Sequence, residues 1–536
     1  MASVSAHSMA ASSLLSASPE VLRDIVLQAV GSLGPPHEWY SLVLCCQTFR
    51  RQLDTAAMHT LLFAKKFHVP TDVYQLLPAH AKAEMQRRFS ALKFFKRGEQ
   101  CLDDHASFTD ALWVAYVMLR AEEPRQMNVD QLLWAGLPNL LLLFLKRRLN
   151  DGAENNHGWP LCNETNSLVI ALMWLLSSES AVRGESSATR DTVMERIRPY
   201  VLAAFRYPLA SHQGECFSSI SAFTHITTRS NTVHEVYTPP LSPSSRDVVY
   251  FGPRTVQVPS APIYSILCYF TRLDTLSPMF PVHLSSEAVA QTPSRTGPRR
   301  EDVEHFITEC RTRFEPWDVA TEYPRVDDSL TRYLSQSYFP GSLTGRWQGS
   351  SIVPCLNSYS HWLNELEAPE SMDTFCRQPL YITLQEYVCY AEKPADVSVL
   401  EIGCPKGVDA WLPSSWVERD DGIEVQETST NCPRFYHKAK GSLSHVENIA
   451  DVIVTGQTDD PYASAWGAFK IIGRVRLSDG LIVLRRESVA GLGTTILRGY
   501  MSSFQNFAGR YRAIPKGCEP AEWEAAFSLC KIKQDD

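Results

Sequence analysis

Hydrophobic spacing changes character once along this 536-residue chain, near residue 336, and the change limits the folds open to it. Up to about residue 210, apolar residues recur every three or four positions, the period of helices with one buried face. Glu84 to Phe95 aligns Met85, Phe89, Leu92 and Phe95; Asp104 to Arg120 aligns Phe108, Leu112, Ala115 and Leu119; Asp191 to Tyr207 aligns Val193, Ile197, Val201 and Phe205. Asn128 to Leu149 and Asn166 to Leu176 are apolar all round and are predicted to lie centrally, with loops at 151–162 and 177–189. No fixed-period repeat is present, so an irregular helical bundle is expected over 68–210 rather than a solenoid. After residue 336 the runs shorten and alternate. Phe469, Ile471, Gly473 and Val475 interleave with Lys470, Ile472, Arg474 and Arg476; Ser478-Asp479-Gly480 turns, and Leu481 to Leu484 returns, a hairpin pattern. About ten such runs, from Gly345–Pro354 to Asn506–Ala513, predict an antiparallel sandwich or closed barrel over 336–515.

Between these halves, residues 211–300 are dense in Ser-Pro and Thr-Pro, as in Thr238-Pro239-Pro240-Leu241-Ser242-Pro243, and read as extended linker. Thr238 and Ser242 each precede Pro and fit proline-directed kinases, although plain linker is the stronger reading. Tyr264 to Phe270 is predicted to be one ordered strand or helical turn within it, and Glu301 to Arg313 a helix inside a connecting segment, 301–335. Residues 1–16 are Ser- and Ala-rich and predicted to be disordered, and 516–536 form a C-terminal tail.

Composition excludes several classes. Net charge is −8 without a basic block, which disfavours nucleic acid as a partner. The 14 cysteines are scattered with no CxxC pair, which argues against a zinc site or disulfide framework and for reduced thiols. The opening residues lack the charged start and long apolar core of a signal peptide. The longest apolar run, Leu140 to Leu145, is far short of the roughly 20 residues that span a membrane. A cytoplasmic or nuclear protein without membrane partner is expected.

The N-terminal stretch Ser18 to Phe67 is compact and unusually apolar. Ser18-Pro19-Glu20 is a helix start, with Ser at the N-cap and Pro in the first turn. Val21, Leu22, Ile25, Val26 and Ala29 form a stripe, and Gly31, Gly34, Pro35 and Pro36 stop the helix. A second run carries Trp39, Leu42, Val43, Cys46 and Phe49, and a third Met58, Leu61, Leu62 and Phe63. So small a unit has little interior, so part of this apolar surface is expected to meet another domain or chain.

This stretch resembles the F-box. Pro19-Glu20-Val21-Leu22 is similar to the family's Pro-Glu-Leu-Leu opening, and Ile25 to its next core position. Leu42-Val43-Leu44-Cys45-Cys46-Gln47-Thr48-Phe49-Arg50-Arg51 resembles its second-helix signature, and Leu61-Leu62-Phe63 its closing segment. The Gly34-Pro35-Pro36 loop resembles fungal members; Ser18 stands where many members have Leu. The second half resembles the lipocalin-like barrel found after the F-box in some of these proteins, through Gly341-Ser342-Leu343-Thr344-Gly345-Arg346-Trp347-Gln348-Gly349, Thr455-Gly456-Gln457-Thr458-Asp459 with Trp466-Gly467-Ala468-Phe469, Leu497-Arg498-Gly499-Tyr500 and Gly509-Arg510-Tyr511-Arg512. The expected architecture is thus multidomain α + β: an F-box three-helix unit at 17–67, an irregular α-helical middle domain and a C-terminal antiparallel, lipocalin-like β-barrel.

The resemblance implies a substrate receptor of a Skp–cullin–F-box ubiquitin ligase, with no catalytic residue and no cofactor of its own. It implies docking on the Skp adaptor, and through it a cullin scaffold, by Pro19, Leu22, Ile25, Leu42, Val43 and Phe49, with an unidentified protein held as target by the rest. Trp411 and Trp416, in a Pro- and Ser-bearing loop, are candidate recognition anchors. Trp347 reads as a core plug. The motifs GxSxG, HExxH and GK[ST] are absent. Gly491 and Gly493 read as a hairpin turn, the pairs Asp420-Asp421, Asp459-Asp460 and Asp535-Asp536 as solvated turns or chain end, and His437 and His445 as surface residues. Two readings stay open beside the receptor: a small-molecule-binding lipocalin-like protein with non-docking N-terminal helices, and a structural F-box protein that directs no degradation.

Overall fold

The computed structural model describes residues 17–68, 75–120, 126–209, 245–276, 297–314, 338–390, 412–413, 415–426, 433–439, 449–477, 480–491, 493–503, 505–513 and 523–532. The described N-terminal half is helical and the C-terminal half is a large antiparallel sheet, a mixed α + β architecture. Thr238, Ser242, Trp411 and His445, like most of the connecting segment after 314, lie outside the described residues.

The N-terminal unit has four helices: α1 (Pro19–Ala29), α2 (His37–Cys45), α3 (Gln47–Leu53) and α4 (Ala56–Lys66). Three were expected. The second run breaks because Cys46 is extended, at φ −158° and ψ 163°. Next come α5 (Leu77–Phe95), α6 (His105–Arg120), α7 (Gln126–Trp134), α8 (Leu137–Arg147), α9 (Glu164–Leu175), α10 (Glu179–Arg183) and α11 (Ser187–Leu202). The apolar run expected as one helix over 128–149 is divided into α7 and α8, bent by 62° at Gly136, whose φ of +79° suits glycine.

The largest departure lies in the expected linker. Residues 245–276 form the hairpin β1 (Ser245–Val249) and β2 (Pro253–Gln257), followed by α12 (Ala261–Leu273). Every residue of α12 from Ala261 to Arg272 is buried. Pro262 sits in its first turn, where proline is tolerated, so the proline starts a helix and does not mark a linker. One face of α12 packs on α9 and α11, and it also meets the sheet. Ile352, Tyr359, Trp362, Ala508 and Ala526 therefore share one core with the helical half.

Beyond α13 (Arg300–Glu309) the strands are β3 (Gly345–Pro354), β4 (Thr374–Tyr390), β5 (Ser415–Arg419), β6 (Gly422–Gln426), β7 (Arg434–Lys438), β8 (Ile449–Gln457), β9 (Phe469–Arg476), β10 (Leu481–Ser488), β11 (Thr494–Ser503), β12 (Asn506–Ala513) and β13 (Ala525–Lys531), with helix α14 (Leu356–Asn364) after β3 and α15 (Asp460–Trp466) after β8. Their order is β3-β13-β12-β11-β10-β9-β8-β4-β7-β6-β5, and β3 also pairs with β4. Alternate residues on eight strands, among them Trp347, Ile382, Val454, Ile471, Leu484, Leu497, Phe507 and Phe527, pack into one core on what we term the inner face. The stretch expected as a C-terminal tail holds β13, which lies between β12 and β3. Its Ala525-Ala526 start carries little strand propensity, so the sequence hides it.

Candidate functional site

The N-terminal unit has two unlike sides. Toward the helical domain it is sealed by polar contacts as well as packing. Gln131 on α7, 1% exposed, donates to the carbonyls of Ser32 (2.8 Å) and Lys66 (3.1 Å) and accepts from the Gly34 N–H (2.8 Å). Lys66 donates to Gly31 and Leu33 carbonyls at 2.6 and 3.2 Å; burial pushes its ammonium down to about 8, against the pull of Glu38. Arg88 stacks over Phe63 and Phe67, its guanidinium 4.8 and 4.9 Å from their ring centroids. Within the unit, the Trp39 indole N–H donates to the Leu53 carbonyl at 3.1 Å.

The other side is bare. Six of the sixteen large apolar side chains exposed among the described residues fall in this short unit: Val21, Ile25, Leu33, Tyr40, Leu44 and Leu61. Val21 and Ile25 are four apart on α1, and Tyr40 and Leu44 four apart on α2, so each pair shares a helix face. Leu44 is the most open of all, at 80%.

The structure sorts the predicted docking residues into three groups. Leu22 (3%), Val43 (9%) and Phe49 (7%) are core, because α1 packs on α3 and α4, α2 packs on α3, and Phe49 lies on α3 itself. Pro19 and Leu42 are half-buried. Ile25 is exposed at 41%. Sequence reasoning missed Val21, Tyr40 and Leu44 as surface residues, since the apolar stripe alone does not tell which edge of it faces inward. Trp416, expected in a loop, lies on β5 and is half-buried against a cluster containing Ile423, Val425 and Tyr436.

Gly34 fixes how the unit sits. Its φ is +67°, and a Cβ there would stand 2.6 Å from the Trp134 ring. Gly34→Ala should therefore cost about 1–3 kcal/mol through backbone strain and displacement of Trp134. A urea titration checks this; an unchanged midpoint would refute the fit.

In the sheet half, Trp347 is buried and donates to the Leu343 carbonyl at 2.7 Å, as a core plug should. Gly491 and Gly493 have φ of +74° and +112° and make the β10–β11 turn. Asp459 corrects the solvated-turn reading: it accepts from Arg346 at 2.9 Å and from the Thr383 hydroxyl. Glu386, fully buried on the inner face of β4, accepts from the Gly341 N–H (3.0 Å), the Thr344 N–H (2.8 Å), the Thr344 hydroxyl (3.1 Å) and the Tyr338 hydroxyl. Burial raises its pKa above the ordinary carboxylate value, against those four donors. Among the described residues no group of three or more His, Cys, Asp or Glu is placed to hold a metal. Comparison with family models, curated proteins and solved structures finds no match to this chain.

Proposed function

We propose that the chain is a substrate receptor of a Skp–cullin–F-box ubiquitin ligase, and that β3, β4 and β8–β13 make up a lipocalin-like barrel. The observation that carries the reading is the concentration of unshielded apolar side chains on the one unit whose residue order resembles an F-box. Its inward side is accounted for by Gln131, Lys66 and Arg88; among the described residues its outward side has no cover. The adaptor covers Val21, Ile25, Tyr40 and Leu44, with Pro19 and Leu42 at the margin, while Leu22, Val43 and Phe49 hold those helices in place from beneath. The chain acts by geometry: held on the scaffold, it raises the effective concentration of a bound target's lysines near a charged conjugating enzyme.

Ile25→Asp and Leu44→Asp place charge on exposed positions, where stability effects are small. Each should abolish co-purification with the Skp adaptor while leaving the thermal unfolding curve unchanged. If both variants still bring the adaptor down, the docking assignment fails.

A further inference from the structure

The helical domain carries a second surface that adaptor docking leaves unused. It lies where α5 ends and the chain bends from α7 into α8, and it forms a groove of about 270 Å³. Phe95, Ala135 and Leu140 are its buried floor, and Trp134 and Leu143, both half-buried, line it as well. Two glycines keep it open. Gly98 and Gly136 have φ of +63° and +79°, and a Cβ at either would meet nothing within 4 Å.

The rim of this groove is basic. Lys96 closes α5 with its ammonium 4.1 Å from the centroid of the Trp134 ring, a contact that holds the cation at the groove. Lys93 stands one turn before it on α5, and Lys146 one turn after Leu143 on α8. All three lysines are exposed, and none has a carboxylate partner among the described residues. Glu99, the acid among the lining residues, is already paired with Arg147. No side chain caps α8 at Gly136, so its first turn adds partial positive charge to the same place. The chain as a whole has a net charge of −8, so this rim runs against its average.

Size and charge together select the occupant. Sites for whole small molecules run to about 300–1,000 Å³, so this groove suits one or two side chains of a longer ligand. Three lysines without a guanidinium fork are too few to track a nucleic-acid backbone. The apolar floor favours one large apolar side chain, and the rim favours carboxylates on either side of it. We propose that the groove binds an extended acidic segment of a partner protein, one large apolar side chain seated on Phe95 and Leu140 and its flanking carboxylates on Lys96, Lys93 and Lys146. Trp134 also abuts Gly34, which places the bound segment beside the N-terminal unit. That the partner is a ubiquitination target rests on the receptor reading; the binding itself does not.

Three end-blocked hexapeptides, titrated into the full chain by calorimetry, test this: Asp-Glu-Leu-Phe-Asp-Glu, its neutral counterpart Asn-Gln-Leu-Phe-Asn-Gln, and Asp-Glu-Gly-Gly-Asp-Glu, which lacks the apolar pair. The first should bind saturably and about tenfold or more tighter than either control, with an affinity that falls as salt rises. Lys96→Glu changes an exposed position, where stability effects are small. It should erase the preference for the acidic over the neutral peptide and leave the thermal unfolding curve unchanged. The proposal is overturned if acidic and neutral peptides bind equally, if none binds saturably, or if Lys96→Glu keeps the preference. A dimer in sedimentation that Lys96→Glu dissolves would overturn it too, by making a second copy the occupant. Ile25→Asp should bind the acidic peptide as the wild type does. A chain that takes peptide but not adaptor loses the receptor reading alone, and one that takes adaptor but not peptide loses this inference alone.

Discussion

Arg510→Ala should lower the unfolding free energy by about 3–5 kcal/mol, the range for removing one member of a buried charged network. Arg510 lies on β12 with no exposed surface, and its guanidinium reaches out of the sheet to the end of α11. It donates to the carbonyls of Tyr200 (2.6 Å), Tyr207 (3.4 Å) and Val201. The Tyr200 and Val201 carbonyls are left over where α11 ends, so the sheet supplies the cap that α11 cannot make for itself, and Tyr207 lies in the segment that follows. Burial pushes the guanidinium down to about 10, with Glu524 opposing. Burial also resists ionisation of Glu524, yet Arg498, Arg512 and Arg510 outweigh it and hold that carboxyl below its ordinary value. Removing Arg510 thus strands three carbonyls and weakens the support of one carboxylate. Urea denaturation of Arg510→Ala and Arg510→Lys measures the loss. Lysine, a point charge, should recover only part of it. An alanine variant that unfolds at the wild-type midpoint would show the clamp to be idle.

Glu386→Ala should cost about 3 kcal/mol or more, because four donors from Tyr338, Gly341 and Thr344 lose their acceptor in a dry site. Glu386→Gln keeps one acceptor oxygen but turns an amide donor toward another donor, and should cost less. The pH dependence separates charge from shape. The folded pKa of Glu386 lies above its ordinary value. Between the two values the folded state binds more protons than the unfolded one, so stability falls as pH rises. The contribution is therefore full below the ordinary carboxylate range and is lost as pH climbs through the raised folded value. Glu386→Gln should lack this component, so the difference between the wild-type and variant stability curves should shrink as pH rises across that window. A constant difference would remove Glu386 as its source.

Much of the fold was legible because its signals are local. The limits of β3 and β12 follow from alternation and turn residues, and α6 from apolar spacing. What escaped was set by tertiary context. Helix α12 is buried on every side, so it has no polar face to give it a period, and the prolines around it resemble a linker. Strand β13 begins on two alanines whose burial is set by packing, Ala525 in the inner-face core and Ala526 against the helical half. The docking side was half legible: composition shows that the N-terminal unit carries more apolar surface than it can hide. Whether Leu22 or Val21 is the hidden residue depends on where α3 and α4 lie.

The position of β13 has a consequence for biosynthesis. The ribosome releases β3 well before β13, yet β3 must leave its second edge free for that later strand. Until β13 has emerged, β3 and β12 both present unpaired backbone to solvent, an invitation to pair with other nascent chains. The sheet therefore cannot be completed vectorially, and a cell making this protein has reason to shield it with chaperones until β13 is available.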